Sequence, residues 1–244
     1  MQAALAQANL VKRIAENSYP GRGIIVGRDV EGNWIQVYWI MGRSENSRNR
    51  IFLEEETILR TEAADPAKVD DPSLIIYNAM RVRGKSFVVG NGVQTDAIWE
   101  GLGKGVNFYD TLQNWNYEPD SPNFTPRISA CLDLKRQPGF IWMSILKKDS
   151  FQEGGAERQF FTYDFIEPGF GYALTTYEGD GEPLPSFRGC PYLVPLSLSN
   201  TADIADLYWS NLDENNKISV AVRCIDIKEH KCHTNVINRY SSVT

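Results

Sequence analysis

The sequence predicts an α+β protein of two stacked, mostly antiparallel sheets with helices packed outside them. Short apolar runs recur along the chain, separated by Gly, Pro, Asn and Asp turn signals. Helical patterns are few: one at the N-terminus, a pair near the middle and one near residue 200. They do not alternate with the strands as a βαβ series would. No repeat, low-complexity tract or composition break marks a linker, so the chain divides into a helical extension over residues 1–18 and one domain over 19–244.

MQAALAQANLVKRIAENS places Leu5, Leu10, Val11 and Ile14 on a rough helical stripe. It has neither a leading basic segment nor a continuous apolar run, which makes it a poor signal peptide. GIIVGRD (23–29) and NWIQVYWIM (33–41) flank Glu31-Gly32, a hairpin signal. IFLEEETILRTE (51–62) follows as one segment, then the charged connection DPAKVDDPS (65–73). LIIYNAMRVRG (74–84) and KSFVVGNG (85–92) read as a second hairpin. TDAIWEGLGKG (95–105), with a Thr-Asp cap signal, and VNFYDTLQNWNYE (106–118) read as helices. After a loop at 118–126 come strands at 127–134, 139–148, 158–166 and 171–179, and an irregular extended segment at 184–195. SNTADIADLYWSNL (199–212) is a capped helix, and ISVAVRCIDI (218–227) closes as a buried strand.

Net charge is −6, which argues against a broad electrostatic grip on nucleic acid but allows a local basic pocket for a small anion. No window is apolar enough to span a bilayer, and four scattered cysteines in a chain this long read as reduced thiols. Both point to the cytoplasm. RGKS (83–86) ends like a phosphate-binding loop, but Ala79 stands where the leading glycine is needed. GLGKG (101–105) has the wrong spacing for a dinucleotide fingerprint. Cys224, His230, Cys232 and His233 match no common zinc spacing, and two histidines near the C-terminus make a Ser-His-Asp device a poor fit.

Four polar clusters remain beside apolar strands: Tyr19-Pro-Gly-Arg22, the loop GRSENSRNR (42–50), Tyr77-Asn78 with Asn91-Gly-Val-Gln94-Thr-Asp96, and Tyr117-Glu118-Pro-Asp120 with Thr125-Pro-Arg127. Each alone is compatible with a turn, a solvated face or a satisfied core group. By composition the arginine loop reads equally as a solvated turn or an anion site. Together the clusters supply arginines for phosphate, amides for an amide-bearing ligand, and Tyr and Glu for proton transfer.

In order and wording, YPGRGIIVG, YWIMGRSENSRNR, YNAMRV, VVGNGVQTD, NYEPDSPNFTPRISACLD and VAVRCID resemble the archaeal-type inosine monophosphate (IMP) cyclohydrolase family. The resemblance runs colinearly over most of the chain from Tyr19, and its TPRI and NGxxTD pieces are the most specific. It implies a four-layer αββα sandwich like that of N-terminal nucleophile hydrolases, without self-processing. It also implies closure of the purine ring: 5-formamidoimidazole-4-carboxamide ribonucleotide (FAICAR) loses water to become IMP, with no cofactor and no metal. By position in the matched motifs Tyr77 and Glu118 would be the catalytic pair. Arg22, Arg43, Arg50 and Arg127 would serve phosphate or base contacts, and Asn78, Asn91 and Asp96 would line or brace the pocket.

The chain departs from the family pattern in three places. Its arginine loop is two residues longer and carries Glu45 and Arg48, Gln94 replaces a common histidine, and residues 179–195 look inserted, as a lid, a subunit contact or a second pocket wall. These departures keep two alternatives open: a cyclase or amidohydrolase on a related purine or imidazole nucleotide, and a non-catalytic nucleotide-binding protein of the same fold. An exposed apolar stripe on residues 1–18 would fit a homo-oligomer.

Overall fold

The computed structural model describes residues 1–69, 72, 75–226 and 231–241. Two antiparallel sheets stack face to face. The first contains β1 (Gly23–Arg28), β2 (Trp34–Met41), β10 (Phe170–Thr175), β11 (Tyr192–Pro195), β12 (Lys217–Ile225) and β13 (Cys232–Asn238), in the order β11-β10-β1-β2-β12-β13. The second runs in sequence order through β3 (Ile51–Glu55), β4 (Ile58–Glu62), β5 (Asn78–Arg83), β6 (Ser86–Gly90), β7 (Arg127–Asp133), β8 (Phe140–Lys148) and β9 (Ala156–Tyr163).

Alternation along the strands shows four layers. On β2, Tyr38 turns toward the second sheet and packs on Phe52, while its neighbour Trp39 stacks on Tyr208 of α5 (Thr201–Asn211). On β6, Val89 enters the core between the sheets, while Val88 joins Ile98 of α3 (Gln94–Gly103) and Phe108 of α4 (Phe108–Leu112) on the outer face. Both sheets are thus covered on both sides, and β2 and β12 are buried at every position. Such strands read as continuous apolar runs rather than alternating ones.

The two hairpin readings hold: β1 pairs with β2 around Gly32 at φ 89°, and β5 pairs with β6 around Gly84 at φ 58°. Segment 51–62 is instead a hairpin, β3–β4, turning at Glu56 with φ 53°. The Thr95-Asp96 cap reading is wrong by two residues, because Val93 caps α3 and both polar residues fall inside its first turn. The helix expected over 106–118 stops after Leu112, with Asn107 capping its start, and the chain continues as a loop that carries Glu118 away from the helical layer. Beyond β12 lies β13, an edge strand whose polar, half-exposed residues give almost no alternation to read. Leu74, Ile227 and His230 fall outside the described residues.

The N-terminal segment forms α1 (Gln2–Leu10) and a π turn over Val11–Ala15. Ala6, Leu10 and Ile14 are buried and Asn9 donates to the Leu193 carbonyl, whereas Leu5 and Val11 are exposed, so the buried stripe is displaced from the one expected. Leu10→Ala is expected to lower the free energy of unfolding by about 2–5 kcal/mol in urea denaturation. An extension merely tethered to the domain would show no such loss.

Candidate active site

Antiparallel pairing brings the start of β1, the ends of β2 and β10, and the starts of β3, β5 and β7 to one end of the sandwich. A cleft of about 570 Å³ opens there, lined among others by Tyr19, Arg22, Arg43, Arg50, Glu118, Thr125, Tyr177 and Glu182. That volume falls in the range of sites for mononucleotide-sized ligands.

Arg22 arrives on the turn before β1. Its amide donates to Thr176 Oγ1, the Tyr177 amide donates to the Pro20 carbonyl, and Trp39 Nε1 donates to the Gly21 carbonyl. Gly21 has φ 73°, and a Cβ there would lie 2.2 Å from Thr176 Oγ1, so the turn needs glycine. Arg22 Nη1 then donates to Glu118 Oε2 at 3.2 Å, and Arg127 Nη1 lies 3.6 Å from the other carboxylate oxygen. Glu118 is held from its own loop by its amide on the Thr125 carbonyl. Asp120 binds the Thr125 hydroxyl, which also meets Tyr177 Oη at 2.6 Å.

Arg127 is braced from behind. Its Nη1 donates to Gln94 Oε1 at 3.0 Å, Gln94 Nε2 donates to Asn91 Oδ1 at 2.9 Å, and Asn91 is tied to the Pro126 carbonyl and the Ile128 amide. Asn91 and Gln94 are fully buried and outside the cleft lining, so the change to Gln94 acts on an arginine's support rather than on the cavity wall. Gly92 makes this approach feasible: a Cβ there would meet Arg127 Nη1 at 2.6 Å and Glu118 Oε1 at 3.2 Å. Gly92→Ala is expected to cost about 1–3 kcal/mol of stability by overpacking. By displacing Arg127 it should lower turnover about 10²-fold, and full activity would show that the bracing is dispensable.

Arg50 is 3 % exposed, and its Nε and Nη1 have no hydrogen-bond partner among the described residues. Burial, and then the charge of Arg22, hold its pKa below the usual arginine value. Burial pushes the Glu118 carboxyl above the ordinary glutamate range, against the pull of Arg22 and Arg127. Burial also opposes the charge of Arg22, but Glu118 beside it, with the nearby tyrosines, leaves its pKa well above the usual value. Three guanidiniums therefore surround one buried carboxylate, an excess of positive charge held out of water. The local environment suits an anion.

Tyr77 is buried just before β5, outside the cleft lining, and meets Tyr38 Oη at 2.6 Å, near enough to Arg22, Arg50 and Arg127 to bear on them electrostatically. Its neighbour Asn78 faces the other way: Asn78 and Arg81 both bind Asp96 beneath α3, outside the cleft lining. A register slip between β4 and β5 accompanies this divergence.

The arginine loop combines both readings of its composition. Ser44 and Ser47 cap each other's backbone at the ends of a short turn, α2 (Glu45–Arg48), and Arg48 Nε closes it on the Gly42 carbonyl. Arg43 and Arg50 reach the cleft, while Glu45 and Arg48 line a separate concavity with Asp65 and Lys68. Arg43 stacks over Tyr19 and is bound by Asp180, the Gly181 carbonyl and Glu182. Glu182 and Leu184 of segment 179–195 accordingly wall the cleft, whereas its last residues form β11. Tyr38 and Tyr177 were not singled out from the sequence; the strand parity that turns Gln36 and Tyr38 to one face was the available signal for the first.

Among the described residues no group of three or more His, Cys, Asp or Glu side chains is placed to hold a metal, all four cysteines are free, and no helix is long and apolar enough to cross a membrane.

Fold and site define a two-sheet protein with an arginine-lined cleft around a buried glutamate, an environment suited to a small anion. The sequence matches the IMP cyclohydrolase-like protein family over residues 19–230, and the chain belongs to that family. It is 34 % identical over 213 residues to the IMP cyclohydrolase of Methanocaldococcus jannaschii, covering 85 % of this chain and 94 % of that protein. It is 28 % identical over 172 residues to the IMP cyclohydrolase of Methanopyrus kandleri, covering 69 % and 79 % respectively.

Proposed function

We propose that the protein is an IMP cyclohydrolase of purine biosynthesis that closes FAICAR to IMP, in the cytoplasm. The observation that carries the reading is the surplus of buried guanidinium around Glu118, with two Arg50 nitrogens unpartnered among the described residues, in a mononucleotide-sized cleft of a chain from this family.

Ring closure joins the carboxamide nitrogen to the formyl carbon and breaks the formyl carbon–oxygen bond. The oxygen leaves as water, taking one proton from the carboxamide nitrogen and one from the formamide nitrogen, so acid and base end as they began. An amide nitrogen is a weak nucleophile, and the protein's contribution is orientation, a base beside that nitrogen and an acid beside the oxygen. Glu118, ion-paired to Arg22 and Arg127, starts as the carboxylate, and its burial makes it a stronger base than an exposed one. Tyr77 supplies the proton to the departing oxygen. Arg50 and Arg43 are the arginines available for the phosphate. Arg43 must exchange Asp180 and Glu182 for it, whereas Arg50 has nitrogens to spare.

A base must be ionised to work, so turnover falls as pH drops through the Glu118 pKa. Because burial raises that value, the acid limb of kcat/KM should lie above the range of an ordinary glutamate, and a limb at or below that range would remove Glu118 as base. Conversion of FAICAR to IMP by the purified protein tests the reaction itself.

A further inference from the structure

We propose that Tyr38 is a positioning residue for this reaction: it donates its hydroxyl proton to the Tyr77 oxygen and so frees the proton of Tyr77 for the substrate. The inference rests on Tyr77 acting in ring closure as set out above.

The two hydroxyl oxygens lie 2.6 Å apart, and among the described residues neither hydroxyl has another hydrogen-bond partner. Either could donate, but their surroundings are unequal. Tyr38 sits at the middle of β2, a strand buried at every position, is 0 % exposed and has its ring packed on Phe52. Its proton therefore has one acceptor within reach, the Tyr77 oxygen. Were Tyr77 the donor, the Tyr38 proton would be stranded in the core, a cost of about 1–3 kcal/mol. Tyr77 lies at the chain's entry to β5, where Arg22 and Arg50, both on the cleft wall, face the pair. Tyr77 is 5 % exposed against 0 % for Tyr38, and on this proposal its proton is the one given to the substrate.

Glu118 passes the carboxamide proton to the formyl oxygen as the tetrahedral carbon forms, and Tyr77 then gives its own proton to the resulting hydroxyl. The carbon–oxygen bond breaks, water departs, and the proton lost from the formamide nitrogen returns to Tyr77. Tyr38 keeps its own proton throughout. While Tyr77 is a phenolate, the Tyr38 hydrogen bond and the two arginines stabilise it. Phenylalanine at 38 keeps the ring packing on Phe52 and removes only the donor.

A double-mutant cycle with FAICAR decides the matter. Tyr38→Phe is expected to lower kcat about tenfold with KM little changed, the size of one lost hydrogen bond. In a Tyr77→Phe background the same change should add nothing, because its effect runs through the missing hydroxyl. An equal loss in both backgrounds, or a loss in KM alone, would overturn the proposal. Neutron diffraction from deuterated wild-type crystals reads the donor directly and needs neither turnover nor a folded variant. The Tyr38 deuteron is expected between the two oxygens, and a Tyr77 deuteron in that position would refute the assignment. If the wild type makes no IMP, the proposed activity fails separately, and the neutron result still settles which tyrosine donates.

Discussion

Glu118→Gln is expected to lower kcat for ring closure by about 10²–10⁴-fold, the range for loss of a positioned base. The amide keeps the shape and one acceptor oxygen, so the arginine contacts change in charge more than in position. Arg22 on the cleft wall and Arg127 behind Glu118 then lack their counter-charge, and the site becomes more attractive to a phosphate. Affinity for IMP should therefore hold or tighten while turnover collapses. Titration calorimetry with IMP and a single-turnover assay separate the two effects. A variant that loses affinity in proportion to rate would show Glu118 acting only as a bracket for the arginines.

The second large effect has opposite signs for stability and binding. Arg50 carries a buried charge with two unpartnered nitrogens, which the folded protein holds at a cost. Arg50→Met removes the charge and fills similar space, so the free protein should gain stability, by about 1–4 kcal/mol. Nucleotide binding should weaken by about 10–100-fold, as expected for losing charge-assisted hydrogen bonds worth roughly 1.5–3 kcal/mol. Inorganic phosphate should raise the melting point of the wild type and do little for the variant. A variant that is less stable and binds IMP normally would place Arg50 in the scaffold instead.

The fold class was legible because both sheets are covered on both faces. Strands such as WIQVYWIM and KISVAVRCI are buried throughout and therefore mostly apolar, with Gln36, Lys217, Ser219 and Arg223 as buried polar exceptions, and turn residues separate them cleanly. The edge strand β13 was missed because a half-exposed edge imposes no such demand on CHTNVIN. Among the candidate site residues, Arg22, Arg43, Arg50 and Glu118 converge on the cleft as the motif order suggested. The sequence could not show that Asn91 and Gln94 stand behind Arg127, since a bracing amide and a ligand-reading amide have the same composition. Asn78 and Asp96 stand away from the cleft because neighbouring strand residues face opposite ways: Tyr77 enters the core between the sheets, so Asn78 turns to the helical side and binds Asp96 there. Tyr38 stayed hidden within an apolar strand, where a tyrosine reads first as core. Asp180 and Glu182 sit in a segment with no periodicity, and their pairing with Arg43 spans more than a hundred residues of chain.

The most direct test of the central claim is product analysis after the purified protein meets FAICAR. The account predicts IMP, formed far faster than in buffer, with no formate released and with turnover lowered about 10²–10⁴-fold in Glu118→Gln. Formate together with the free amine would mean that the cleft hydrolyses the formyl group instead of closing the ring, and unchanged FAICAR at high enzyme concentration would mean that it does neither.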